Sequence, residues 1–254
     1  MTSPVRITAA AGTHVGRVRR RNEDSYYLGE FLVAVADGLG GHVAGDLASS
    51  TAIEALKPYD REVDPADLAD TLGEAVASAD RALRRKVREQ PESAGMGTTM
   101  VALLRSGTAA VVANVGDSRV YLMRDGSLAR ITEDHTYRFL VAAADAIPEL
   151  PGRLARFLDG RKDGRSPDLT AVSLSPGDRV LLCTDGLSSY VPEPVIRDAL
   201  RSAASPEQAT EALISGTLDR GAPDNVTVLV LEARAERHIR PSLGGFEPSP
   251  RSPR

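Results

Sequence analysis

Phe31-Leu32-Val33-Ala34-Val35-Ala36-Asp37-Gly38-Leu39-Gly40-Gly41-His42 decides the fold of this chain. An unbroken apolar run followed by aspartate and glycine reads as a strand buried on both faces that ends in a sharp turn. Glycine lets the backbone turn away behind the carboxylate of Asp37, which is left standing at the strand's end. The same grammar returns twice. Val180-Leu181-Leu182-Cys183 runs into Thr184-Asp185-Gly186, and Asp224-Asn225 precedes the apolar, β-branched run Val226–Leu231. Carboxylates that converge from several strand ends make an oxygen-rich site of the kind that hard divalent cations such as Mg2+ and Mn2+ prefer.

Outward from this stretch, strands are expected at 5–16 and 31–36, followed by a Gly-rich loop at 38–45. Helical spacing covers 46–56, where Pro58 ends it, and 64–90, where Asp64 is an N-cap and Pro65 the first helical residue. Strands at 99–105, 108–115, 118–124 and 127–131 follow closely, with turns at Ser106-Gly107 and Asp125-Gly126, and read as an antiparallel meander. Residues 136–166 carry only hints of helical turns, at 139–144 and 154–158, before a polar stretch at 161–166 read as mobile. Strands at 168–174 and 179–184 flank the turn Pro176-Gly177-Asp178. Helices are expected near 192–203 and 206–219, and a last strand at 226–231. From Arg234 onward the chain turns Pro-, Ser- and Arg-rich, so a folded domain of 1–233 is expected before a disordered tail at 234–254. Antiparallel strands with helices in pairs between them suggest an α+β layered domain, two sheets face to face with helices outside.

Composition narrows the function. The 254 residues are 42% hydrophobic and 26% charged, an ordinary globular balance. A net charge of −4 lacks the concentrated basic face of a nucleic-acid binder. The single Cys183 has no disulfide partner and sits in an apolar run, which makes it a buried structural thiol. Met1 to Arg6 has no apolar signal region, no stretch is apolar enough to span a membrane, and a cytoplasmic location is the expectation.

Val18-Arg19-Arg20-Arg21-Asn22-Glu23-Asp24 resembles the N-terminal VRxxNED signature of the PPM family, the metal-dependent Ser/Thr protein phosphatases of the 2C type. The resemblance continues in order through Asp37–His42 with Gly45, Gly97-Thr98-Thr99, Asn114–Arg119, Asp134-His135, Thr184–Leu187 and Asp224–Thr227, and covers residues 6 to 232. It follows the bacterial branch. It implies a four-layer αββα sandwich of two antiparallel β-sheets flanked by helix pairs, and hydrolysis of phosphoserine and phosphothreonine by a water activated between two Mn2+ or Mg2+ ions, without a phosphoenzyme. Asp37 would bridge the two ions, the Gly38 carbonyl would bind the second, and Asp185 and Asp224 would complete the shell of the first. Glu23 and Asp24 would contact them partly through water. Asp134 would hold a third ion with Asp185, or else is a turn residue. Arg19 would clamp the substrate phosphate, with the paired donors a guanidinium offers. His42 is a candidate general acid, but eukaryotic members carry that histidine directly after Asp-Gly, where this chain has Leu39, so a loop-holding role stands beside it. Asp117 reads as a structural turn paired with Arg119.

The partners implied are phosphorylated proteins, a Ser/Thr kinase among them, and a monomer is expected. Two other readings stand beside this one. The 136–166 segment lacks the family's usual Arg-Asn pattern, which leaves room for a catalytically weak, phosphoprotein-binding regulatory domain. Thr184-Asp185-Gly186-Leu187 faintly resembles a haloacid-dehalogenase-type nucleophile motif, but the second aspartate that chemistry needs is Leu187. Cysteine-based phosphate chemistry fails because Ser189 stands where its arginine belongs.

Overall fold

A computed structural model describes residues 5–39, 44–137, 153–161 and 166–236. Its strands are β1 (Val5–His14), β2 (Asp24–Leu28), β3 (Leu32–Leu39), β4 (Gly97–Thr98), β5 (Met100–Ser106), β6 (Ala109–Val115), β7 (Arg119–Arg124), β8 (Ser127–Arg130), β9 (Asp168–Ser173), β10 (Arg179–Cys183) and β11 (Val226–Ala235). The helices are α1 (Ala44–Leu56), α2 (Leu68–Glu89), α3 (Asp185–Ser188), α4 (Glu193–Ser202) and α5 (Pro206–Leu218). One sheet has the order β1-β11-β10-β7-β8, the other β2-β3-β5-β6-β9 with β4 beside β3, and the pairings are antiparallel.

Strand alternation explains the layers. On β3, Leu32, Ala34 and Ala36 face a core shared with Ala48 and Leu56 of α1 and Leu68 and Leu72 of α2. Val33 and Val35 face the opposite way, against Val180, Leu182, Leu229 and Leu231 of the other sheet. On β10 and β11 the alternate residues Leu181, Cys183, Val228 and Val230 pack under Ile196, Leu200, Ala209 and Leu213 of α4 and α5. Both sheets are therefore covered on both faces, and their central strands carry nearly continuous apolar runs. The result is the four-layer αββα sandwich. Cys183 lies fully buried among these side chains, as expected.

Several local readings change. β2, β4 and α3 have no counterpart in the expected elements, because each is short. The expected meander is divided: β5–β6 is a hairpin of one sheet and β7–β8 a hairpin of the other. The chain crosses between sheets at Gly116-Asp117-Ser118, where His135 N–H donates to the Gly116 carbonyl, Gly116 N–H donates to His135 Nδ1, and Ser118 Oγ lies 2.8 Å from Thr99 Oγ1. The last strand continues to Ala235, since Arg234 and Ala235 pair with Arg6 and Val5. The boundary expected at 233 therefore falls inside β11, while most of the expected tail lies outside the described residues, as does most of 136–166. Asp64 caps a 3-10 turn, Pro65–Asp67, that leads into α2, its Oδ1 accepting from Ala66 N–H at 2.9 Å.

The β2–β3 hairpin carries both Asp24 and Asp37, and one carboxylate fastens its turn. Asp60 Oδ1 accepts from Phe31 N–H at 2.7 Å and Leu32 N–H at 2.9 Å, while Oδ2 accepts from Tyr27 Oη at 2.9 Å and Glu30 N–H at 3.1 Å. Burial alone would raise the pKa of Asp60, but these donors outweigh it and hold the carboxyl below its ordinary value. A depressed pKa stabilises the fold above the unfolded value and ceases to do so as pH falls through the folded one. Asp60→Ala is expected to lower the urea midpoint by the equivalent of about 2 kcal/mol with the slope unchanged. The difference between the two proteins is expected to shrink below pH 4. A difference that persists undiminished at pH 3 would assign the effect to packing instead.

Candidate metal centre

The acidic residues gather at one end of the sandwich. Asp37, near the end of β3, shares the inter-sheet face of Val33 and Val35, and Asp24 stands directly across from it in the β2–β3 register. Asp185 follows β10 and Asp224 precedes β11, two adjacent strands of the facing sheet. The two sheets thus bring Asp24, Asp37, Asp185 and Asp224 together from four separate positions in the chain.

Neighbouring backbone and hydroxyl groups fix each position. Thr99 N–H donates to the Asp37 carbonyl at 2.9 Å, Asp37 N–H donates to Thr99 Oγ1 at 3.0 Å, and Thr98 Oγ1 donates to the same carbonyl at 2.8 Å. Gly97-Thr98-Thr99 is therefore the cradle of Asp37. Asp24 Oδ2 accepts from Thr227 Oγ1 at 2.7 Å and Thr184 Oγ1 at 3.0 Å, which ties one sheet to the other. Two glycines are required by close approach. A Cβ on Gly38 would lie 2.0 Å from the Gly45 carbonyl oxygen, and one on Gly186 only 1.8 Å from that of Asn225. Gly38 is thus needed because α1 and Glu23 press against it, and its N–H donates to the Glu23 carbonyl at 3.1 Å.

Asn225, missed as a site residue by sequence reading, holds the arginine-rich loop to this centre. Its Oδ1 accepts from Glu23 N–H at 2.8 Å, and its Nδ2 donates to the carbonyls of Val15 at 2.9 Å and Arg21 at 2.8 Å. Arg19 projects from that loop, and its Nη2 lies 2.8 Å from Asp224 Oδ2. Tyr190, two residues beyond α3, is also close enough for Asp185 and Asp224 to act on its hydroxyl, whose pKa burial and then these carboxylates raise.

The electrostatics are those of anions held too close. Burial, followed by repulsion from Asp24 and Asp185, pushes the Asp37 carboxyl well above the usual range. Burial, offset in part by its threonine partners, carries Asp24 up to about 7. Asp185 is raised by burial and by Asp224, although a hydrogen bond with Asp37 opposes the shift. Asp24 Oδ1 is buried and accepts no hydrogen bond. Among the described residues no three of these carboxylates already stand at ligand distance around one point, and Arg19 supplies positive charge from one side. Oxygen-only donors, an orphaned carboxylate oxygen and excess buried negative charge all suit hard divalent cations.

One expectation shifts here. Asp117 is not paired with Arg119. That guanidinium makes a two-pronged contact with Asp134, Nε to Oδ1 at 2.9 Å and Nη2 to Oδ2 at 2.7 Å, and Arg130 adds a third approach at 3.5 Å. Both oxygens of Asp134 are thereby engaged by arginines. Asp117 instead feels Asp185 directly, and burial followed by that carboxylate pushes it up to about 7. An acid in a positively φ-turned Gly-Asp-Ser link looks like any turn residue in sequence, so only the fold discloses it. His42 lies outside the described residues.

Two sheets flanked by helix pairs, with converging carboxylates at one end and an arginine beside them, define the class. Residues 12–221 match the family described as Protein phosphatase 2C, and the chain belongs to it. It is 42% identical over 232 residues to the serine/threonine protein phosphatase PstP of Mycobacterium tuberculosis, covering 88% of this chain and 44% of that protein. The chain thus spans less than half the length of that relative. It is 32% identical over 235 residues to the serine/threonine phosphatase stp of Listeria welshimeri, covering 87% of this chain and 93% of that one. Among solved structures, the catalytic domain of PstP in complex with two manganese ions superposes with a TM-score of 0.82 at 39% identity, over 91% of this chain and 100% of that one. Among the described residues, no helix is long and apolar enough to cross a membrane.

Asn225→Ala removes three buried hydrogen bonds at once and is expected to cost about 3 kcal/mol in urea unfolding. A loss below about 1 kcal/mol would show that the loop keeps its place without this side chain.

Proposed function

We propose that this chain hydrolyses phosphoserine and phosphothreonine esters on proteins, as a phosphatase dependent on Mn2+ or Mg2+. The observation that carries the reading is the cluster Asp24, Asp37, Asp185 and Asp224 with its orphaned oxygen, beside Arg19. Asp37, Asp185, Asp224 and the Gly38 carbonyl would hold two cations, with Glu23 and Asp24 at their margin. Asp117, together with Asp185, would contribute to a third; the closeness of Asp117 to Asp185 and the arginines on Asp134 support this choice over Asp134. Bound together, such cations supply a water of lowered pKa and positive charge against a phosphate.

The chain's own groups do the rest. The Arg19 guanidinium offers paired donors to phosphate oxygens and remains charged at every working pH. Reaching a phosphate requires it to exchange Asp224 for that anion. Thr98 and Thr99 keep Asp37 from moving as charge accumulates, which is the preorganisation that electrostatic stabilisation needs. No thiol competes as a nucleophile: burial pushes Cys183 up to about 12, and it faces the α4–α5 core. The substrates proposed are phosphoproteins of the cytoplasm, including Ser/Thr kinases, met by a monomer.

Purified protein with Mn2+ is expected to release phosphate from a phosphothreonine peptide. Asp37→Asn is expected to reduce kcat by about a thousandfold, and Arg19→Ala to raise KM and lower kcat together. Turnover that is equal with Mn2+, with chelator and in Asp37→Asn would refute the reading. A protein that neither turns over nor binds Mn2+ in calorimetry would be the regulatory domain instead.

Protons and cations compete for the same oxygens. Asp24 and Asp117, raised toward 7, keep protons in the folded protein that the unfolded chain has already lost by pH 5. The cation-free fold is therefore expected to lose stability as pH rises from about 4 to about 7. Cation binding displaces those protons, so the Tm gain from Mn2+ is expected to be larger at pH 7.5 than at pH 5.5. An equal gain at both values would place the cations elsewhere.

A further inference from the structure

The loop that delivers Arg19 carries more positive charge than one phosphate requires. Arg19, Arg20 and Arg21 together with Glu23 and Asn225 line an open cavity of about 330 Å³ at the edge of the acidic centre. Arg20 is exposed and, among the described residues, makes no hydrogen bond or ion pair, whereas Arg17 donates to the Leu218 carbonyl and Arg19 meets Asp224. The backbone beneath it is fixed. Arg17 N–H donates to the Ala222 carbonyl at 2.8 Å, and Asn225 holds the Arg21 carbonyl and Glu23 N–H. Asn22 Nδ2 adds a bond to Thr13 Oγ1 at 2.7 Å.

A stiff backbone bearing an uncommitted guanidinium is a poor way to hold solvent and a good way to hold an anion, because little backbone entropy is lost on binding. The cavity's own carboxylate, Glu23, is tied by its backbone to Asn225 and lies against Gly45. Three arginines against this one carboxylate give the wall excess positive charge.

We propose that Arg20 forms a second oxyanion subsite, which selects phosphoproteins carrying another negative group, a second phosphate or a carboxylate, beside the phosphorylated residue. The proposal rests on the phosphatase reading above: Arg19 takes the phosphate to be hydrolysed, and Arg20 takes the neighbouring anion without entering the chemistry. Arg20 is thus a specificity residue, read in the ratio between substrates.

The test uses three phosphothreonine peptides of one backbone in the presence of Mn2+. One has neutral flanks, one has glutamates flanking the phosphothreonine, and one has a second phosphothreonine there. For the unaltered protein, kcat/KM on an anionic peptide is expected to exceed that on the neutral one by about fivefold, equivalent to about 1 kcal/mol. The preference is expected to lie mostly in KM and to shrink in 0.5 M NaCl. In Arg20→Ala the ratio is expected to fall toward one, and in Arg20→Lys to be partly kept. Preference for both anionic peptides identifies an oxyanion subsite, and preference for the second phosphate alone narrows it to phosphate. Hydrolysis of all three at equal efficiency, or a ratio unchanged in Arg20→Ala, overturns the subsite and leaves the phosphatase reading intact. Failure to hydrolyse even the neutral peptide overturns both.

Discussion

The constraint on which the rest of this structure depends is the repulsion among buried carboxylates at one end of the sandwich. Two such charges about 4 Å apart repel by about 4 kcal/mol at an effective dielectric near 20. Asp24, Asp37, Asp117 and Asp185 respond by taking raised pKa values, and Asp37 and Asp185 by sharing a hydrogen bond. The fold tolerates this in part because it tethers Asp37 through its backbone and Asp24 through one carboxylate oxygen, while the other Asp24 oxygen is left without a partner. The threonines at 98, 99, 184 and 227 are the tethers. Each can donate to an anion and accept from a backbone N–H, so none adds charge to a place already crowded with it.

Sandwich architecture makes the convergence possible. A strand end exposes side chains of the inter-sheet face where the apolar core stops, so an aspartate placed one alternation beyond Val35 stays in line with the core but reaches its rim. Asp185 and Asp224 arrive from the facing sheet by the same geometry, one following β10 and the other preceding β11. Because β10 and β11 are antiparallel, the end of one and the beginning of the other meet at a single edge. Gly186 then allows the turn behind Asp185 to lie directly on the Asn225 carbonyl.

What was legible in the sequence follows from this. Long apolar runs such as 31–36 and 226–231 announce buried strands whatever surrounds them, and the Asp-Gly pairs mark where they stop. Hairpins with strong turn chemistry, at Ser106-Gly107 and Asp125-Gly126, were equally readable. The change of sheet at Gly116–Ser118 was not, because a link between sheets and a hairpin turn use the same residues; the difference lies in His135 and Thr99, distant in the chain. The partners of Asp117 and Asp134 failed for a related reason. Sequence proximity pairs Arg119 with Asp117, but Asp117 sits in the link between the sheets, outside β7, and the Arg119 fork meets Asp134 across the β7–β8 hairpin's mouth. Motif order located the centre, while the assignment of individual carboxylates needed three dimensions.

Asn225 shows why the acidic centre and the arginine loop behave as one unit. It follows Asp224 directly, and its side chain bonds the backbone on both sides of Arg19 and Arg20. Under the proposed reading, a shift of Asp224 toward a cation would be passed through a single buried amide to the loop that carries Arg19. Arg19 closes the circuit from the other side through its contact with Asp224. Were that carboxylate to turn to a cation, the guanidinium would lose its partner and become available to an incoming anion. A lysine at 19 could supply the charge but not the paired, planar donors that let one group serve carboxylate and phosphate in turn. The acids alone would make a cation trap; under the proposed reading, the bonds between Asn225 and the arginine loop would join that trap to the recognition of a phosphate.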